Sequence, residues 1–102
     1  MNIIDENIKP IKKLCKQHNV NKLYIFGSFV TDRFTSRSDI DLLVSFGDVD
    51  LFNYYDNYLG IKESLEKLLS RSIELVEDQT VKNPILRRSI DRNKKLIYER
   101  AG

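Results

Sequence analysis

The chain of 102 residues carries 17 basic and 15 acidic side chains for a formal net charge of +2, with 41% hydrophobic and 31% charged residues. That balance suits one folded domain over residues 1–102 and excludes a disordered chain, and two domains would leave each half too short for a core of its own. So small a net charge gives no reason to expect direct nucleic-acid binding through bulk electrostatics, and no apolar run approaches a membrane span.

In chain order, Ile4, Ile8, Ile11 and Cys15 recur at helical spacing, with Leu14 beside them. Pro10 fits the first turn of this helix, where its missing N–H costs little, and His18-Asn19 ends it. Cys15 is the single cysteine, so no internal disulfide forms, and its place in the apolar stripe reads as a small buried hydrophobe. The N-terminal residues lack a signal-peptide pattern, and a cytoplasmic location is expected. Lys22 to Phe26 is rich in β-formers and predicts a strand, which Gly27-Ser28 stops. A short helix is expected over Phe29 to Phe34 and a polar turn over Thr35 to Ser38. Asp39 to Phe46 is the clearest strand. Beyond its first residues it is apolar on both faces, as in a central strand covered on both sides.

Phe52 to Leu69 predicts a long helix with Leu65, Leu68 and Leu69 on one face and Gly60 as a weak point. A strand over Ser72 to Glu77, a helix over Asn83 to Asp91 with Pro84 at its start, and a final strand over Lys95 to Glu99 complete the pattern. Strands alternating with helices predict an α/β arrangement, helices packed on a sheet of about four strands, and leave the strand order open. His18 is a lone histidine at a helix end and receives no catalytic role. No Cys/His set has zinc-ligand spacing.

Chemistry concentrates in three places. Asp39 and Asp41 stand two apart on a strand, so they project from the same face with Cα atoms roughly 6.5–7 Å apart. Carboxylates so placed can converge on one divalent ion or share two, and oxygen ligands suit Mg²⁺. Without a cation they repel each other, a conflict of the kind functional sites carry; the plain alternative is that both cap a strand and face solvent. Gly27-Ser28 lies 11 and 13 residues ahead of these aspartates. Glycine permits unusual dihedrals and close backbone approach to a phosphate. Serine can cap a following helix or place its hydroxyl on a phosphate oxygen. Glu74, on a later strand, supplies a third carboxylate.

The stretch from Phe26-Gly27-Ser28 through Ser38-Asp39-Ile40-Asp41-Leu42-Leu43-Val44 resembles the signature of polymerase-β-like nucleotidyltransferases. It is similar in particular to the minimal (MNT) group found beside HEPN-domain proteins in prokaryotes, and the resemblance covers nearly the whole chain. It implies an α+β, nucleotidyltransferase-type mixed sheet. It implies nucleotide-binding roles for Gly27 and Ser28, which hold the triphosphate, and catalytic, Mg²⁺-binding roles for Asp39 and Asp41. By position Glu74 is the third catalytic carboxylate, which activates the attacking hydroxyl or helps hold a second metal. The implied substrate is ATP or another nucleoside triphosphate. The implied partner is a HEPN-domain toxin, met as a hetero-oligomer and modified on a tyrosine by AMP transfer, with the chain acting as its antitoxin.

Two residues depart from the family pattern. The third acid is usually aspartate, and the extra methylene of Glu74 carries its carboxylate outward by roughly 1.3–1.5 Å, where placement is sensitive to shifts of about 1 Å. Asp32 stands where many members have a second glycine; it can point outward or pair with Arg33 or Arg37. These departures support a runner-up reading, a binding module of the same fold that neutralises a partner by occlusion. Transfer to a small molecule ranks last, because relatives that do so usually carry an added helical domain. Arg37 reads either as a phosphate guide or as an ordinary loop arginine. Ser38 is placed to fix the turn before the aspartates. Tyr54, Tyr55 and Tyr58, with Phe52, form either core or a partner surface.

Overall fold

The computed structural model of the protein describes residues 2–31, 34–35 and 37–101. The Asn2 side chain caps helix α1 (Ile3–Glu6) by accepting the Asp5 N–H. Asn7, at φ −117° and ψ 20°, separates α1 from α2 (Ile8–Gln17). Pro10 is the third residue of α2, among the first four positions whose N–H groups have no intrahelical partner, so it removes no bond from the helix. There follow β1 (Val20–Phe26), a 3-10 turn at Gly27–Val30, β2 (Ile40–Phe46), α3 (Leu51–Leu69) and β3 (Ile73–Glu77). A second 3-10 turn at Asp78–Thr80, α4 (Pro84–Asn93) and β4 (Lys95–Glu99) complete the order.

The strands form one mixed sheet in the order β3-β2-β1-β4. β1 runs antiparallel to β2 and to β4, whereas β2 and β3 are parallel. A parallel pair needs a crossover, and α3 is that crossover. The result is the α+β architecture expected, with the strand order now fixed.

Alternation along the strands sorts the side chains onto two faces. Leu23, Ile25, Leu42, Val44 and Leu75 join Ile11, Cys15, Ile61 and Leu65 of α2 and α3 in the main core. Tyr24 and Leu43, paired across β1 and β2, belong to the other face, and Leu43 is fully buried there too. α4 crosses this second face. Its first half is tied to the turn after β3 by Arg87, whose Nη1 lies 2.8 Å from Asp78 Oδ1. Its far end is marked by Lys94, whose Nζ stands 4.5 Å above the Tyr24 ring.

Several local expectations change. β1 begins at Val20, which is buried and pairs with Phe46. The short helix expected over Phe29 to Phe34 is instead the 3-10 turn at Gly27–Val30; Phe34 lies beyond it and packs edge-on against Phe29 at 4.8 Å. α3 runs unbroken through Gly60, and the glycine has a packing reason: a Cβ there would stand 2.6 Å from the His18 ring. His18 is structural, its Nδ1 bonded to the Leu14 carbonyl at 2.8 Å. Cys15 is fully buried, and burial pushes its thiol up to about 12, as suits an inert core residue. The aromatic group divides. Tyr58 packs on the core and donates its hydroxyl to the Leu75 carbonyl, and Tyr54 packs against Phe46, while Phe52 and Tyr55 are exposed. Among the described residues no helix is long and apolar enough to cross a membrane.

The Tyr58 hydroxyl ties α3 to the strand residue next to Glu74. Tyr58→Phe is expected to lower unfolding stability by about 1 kcal/mol in urea titration, the usual net worth of such a bond. Unchanged stability would show that the hydroxyl does not anchor β3.

Candidate active site

The end of β1 and the starts of β2 and β3 meet at one corner of the second face. The antiparallel register sets Phe26 opposite Asp41, and the parallel register sets Asp41 opposite Glu74. Directly after Phe26 the chain turns through Gly27 at φ +73°, a conformation L side chains rarely adopt. Space forbids a side chain there as well: a Cβ on Gly27 would stand 2.1 Å from Asp41 Oδ2 and 3.0 Å from its Cγ. The backbone of the proposed phosphate loop therefore lies against the carboxylate expected to work with it.

Asp41 is half-buried, and Asp39, one residue ahead of β2, is exposed, as is Glu74. Burial pushes the Asp41 carboxyl up to about 6. A hydrogen bond donated by the protonated Asp41 to Glu74, and the negative charges of Glu74 and Asp39, add to the rise. Two of the acids named from sequence, Glu74 and Asp39, thus act on the third.

Ser28 corrects an expectation. It is the second residue of a four-residue 3-10 turn that makes no side-chain cap bond, so it caps no helix. Its carbonyl accepts bonds from the Thr31 N–H and hydroxyl at 3.1 and 2.9 Å. Ser38 does fix its turn: its Oγ accepts the Thr35 N–H at 3.0 Å. Arg37 is exposed, its N–H bonded to Thr35 Oγ1 at 3.2 Å. Asp32 and Arg33 lie outside the described residues.

Arg71 was not singled out from sequence. Its Nη2 donates to the Thr35 and Ser38 carbonyls at 2.8 and 2.6 Å, and its guanidinium sits 4.6 Å over the Phe34 ring. It thereby pins the turn that delivers Asp39. No local pattern marks such a residue, because its partners lie 33 and 36 positions away.

Among the described residues, no three His, Cys, Asp or Glu side chains form a ready-made metal cluster. The donor set still fits Mg²⁺, which takes one or two carboxylates and fills its shell with water and substrate phosphate rather than an all-protein cage. Asp39 and Asp41 are oxygen donors of that kind, and the crowding of negative charge around Asp41 is what a cation would relieve.

A family model described as "Polymerase beta, Nucleotidyltransferase" matches residues 9–101. A candidate protein adenylyltransferase of Methanocaldococcus jannaschii, MJ1379, is 33% identical over 96 residues, which cover 93% of each chain. A solved candidate minimal nucleotidyltransferase superposes with a TM-score of 0.75 at 25% identity, over 93% of this chain and 95% of that one. A chain in the complex of tri-AMPylated Shewanella oneidensis HEPN toxin with MNT antitoxin gives 0.62 at 20% identity, over 94% and 72% of the two chains. That last likeness shows the fold alone.

A rise from 3.8 to about 6 in Asp41 would correspond to about 3 kcal/mol in a fully sheltered group. Asp41 is only partly sheltered, so screening by water reduces this to about 1 kcal/mol. Asp41→Asn is accordingly expected to raise the unfolding stability of the cation-free protein at neutral pH by about 1 kcal/mol, and a loss of stability in chemical denaturation would contradict the crowding. From the family match along the chain and the strand register that gathers Gly27, Asp41 and Glu74, the chain belongs to the polymerase beta nucleotidyltransferase family and resembles its MNT-type members.

Proposed function

We propose that the chain is a Mg²⁺-dependent protein adenylyltransferase that moves AMP from ATP onto a hydroxyl of a protein partner, a tyrosine of a HEPN-domain toxin, and thereby acts as an antitoxin. The observation that carries this reading is the Asp41 carboxylate set between the Gly27 backbone and Glu74. Relatives named as protein adenylyltransferases, and a structural neighbour described as an MNT antitoxin bound to an AMPylated HEPN toxin, support the substrate and the partner.

On this reading Gly27 and Ser28 hold the triphosphate, the glycine by letting the chain pass close and the serine through its hydroxyl. Asp39 and Asp41 hold the cation. Bound Mg²⁺ supplies charge stabilisation at the attacking and leaving oxygens. Glu74 accepts the proton of the attacking hydroxyl, whose oxygen forms the new bond to the α-phosphorus as the bond to pyrophosphate breaks. Arg71 contributes by position, since it holds the turn that presents Asp39. Most of the rate then derives from placement and fixed charge.

The Asp41–Glu74 hydrogen bond also favours a second reading, in which the acids engage each other and the fold silences a partner by occlusion alone. The two readings separate in an assay with ATP labelled at the α-phosphate, Mg²⁺ and a HEPN-domain partner. Label is expected on the partner, and Asp39→Asn and Asp41→Asn are each expected to reduce it at least about 100-fold, with the fold intact by circular dichroism. Chelation of Mg²⁺ is expected to do the same. Binding without label in the wild-type protein would establish the occluding module instead, and undiminished transfer by either variant would remove these aspartates from the site.

A further inference from the structure

A cavity of about 420 Å³ opens between the first half of α3 and the edge strand β3. Tyr54, Tyr55 and Tyr58 wall it on the helix side, and Leu75, Val76 and Glu77 on the strand side. Tyr54 and Tyr55 stand four and three residues ahead of Tyr58, so one helix face presents all three rings. Tyr58 uses its hydroxyl on the Leu75 carbonyl. The Tyr54 and Tyr55 hydroxyls have no hydrogen-bond partner among the described residues.

Glu77 is the unusual member of the wall. It is only 9% exposed, and its Oε2 accepts the Gln79 N–H at 2.8 Å. Among the described residues no lysine or arginine pairs with it. A carboxylate so far from water is ordinarily answered by a cation. Burial, followed by the negative charge of Glu77, raises the Tyr54 hydroxyl above the usual tyrosine range, which puts that charge beside the aromatic wall. The want of a cation runs through both walls. Residues 38–61 and 72–81 contain eight acidic side chains and none of the chain's 17 basic ones. Asp78 is answered from α4 by Arg87, and Asp39, Asp41 and Glu74 belong to the proposed active site. Glu77, and Asp56 on the exposed side of α3, have no ion-pair partner among the described residues.

Aromatic faces attract cations, and a carboxylate in the same wall strengthens the attraction. The rim indicates what carries the cation. Leu51 and Phe52, each 91% exposed, stand four and three residues ahead of Tyr55, itself 63% exposed, and so lie beside it on the helix. A free amine or a metal ion has no use for such an apolar rim, whereas a protein surface covers it. We infer that this cavity receives a lysine or arginine side chain of the protein partner, with Leu51 and Phe52 packed against apolar residues around it; the inference rests on the proposed function for the partner's being a HEPN-domain protein. Position agrees with that use. Glu74 directly precedes Leu75 on β3, so a partner seated here lies along the strand that carries the proposed base.

The test is equilibrium binding of a HEPN-domain partner to the full chain and to Glu77→Gln, Tyr55→Ala and Phe52→Ala, with Mg²⁺ and ATP binding measured alongside. Glutamine keeps an oxygen for the Gln79 N–H, the other two residues are exposed, and folding is checked by circular dichroism. Glu77→Gln and Tyr55→Ala are each expected to weaken the partner about tenfold or more, and Phe52→Ala to weaken it less. ATP binding is expected to stay unchanged, as is the rate of label transfer at saturating partner. If the partner binds the wild type and both Glu77→Gln and Tyr55→Ala equally well, it docks elsewhere, and the inference falls while the proposed function stands. If these variants lose the partner but the wild type transfers no label to it, the docking surface stands and the transfer reaction falls. If the wild type self-associates in sedimentation and Tyr55→Ala makes it monomeric, the cavity holds a second copy of the chain and the inference is overturned. If the wild type binds no HEPN-domain partner, the surface falls together with the proposed partner.

Discussion

The close approach of the Asp41 carboxylate to the Gly27 backbone depends on strand register, and the rest of the site depends on that approach. Phe26, Asp41 and Glu74 stand abreast on three neighbouring strands because β1 and β3 pair with β2 in one alignment. Side chains alternate with a period of two, so a slip of one residue in β2 would turn Asp41 toward the main core and bring Ile40 and Leu42 to the open corner. Ile40 and Leu42 are fully buried in the native alignment. A slip would expose both aliphatics and bury a carboxylate at the same time, two penalties of one sign. The hydrophobic pattern of β2 thereby holds the acidic side chains in register without touching them.

This division of labour runs through the fold. The face covered by α2 and α3 is apolar and closely packed, and its burial of Leu23, Ile61 and Leu65 stabilises the sheet. The opposite face carries the left-handed glycine, the crowded carboxylates and the partly covered wall of α4. Unfavourable local features persist where the surroundings over-determine them, and here the packed face supplies that determination. Arg71 links the two regions. It sits between the end of α3 and the start of β3, and its guanidinium reaches back to the turn before Asp39.

Much of this was legible in the order of residues. The order of strands and longer helices followed from periodicity and turn residues, and the central strand from a run apolar on both faces. Asp39 and Asp41 were visible as a pair because a strand repeats every two residues. What was hidden is long-range. Strand order, the pairing of Asp41 with Glu74 and the hold of Arg71 on the Ser38 carbonyl depend on residues about thirty positions apart, and no local pattern encodes them. Gly60 misled for the same reason: it looks like a flaw in α3 until His18 is seen against it. The short helix was misplaced because Gly27 starts the turn rather than merely ending the strand.

The acids at this corner are unequal in a way that bears on how a nucleotide could enter. Asp41 is partly sheltered and raised to about 6, while Asp39 and Glu74 are exposed to solvent. Glu74, longer than the usual aspartate by one methylene, stands opposite Asp41 across the parallel pair, and its carboxylate adds to the rise at Asp41. A triphosphate brings several more negative charges to the same place. Like charges drawn together out of water repel strongly, and the repulsion grows as the site closes. On the proposed reading the chain therefore has little affinity for the nucleotide alone: a cation answers the carboxylates, and the phosphates then complete the shell of the cation.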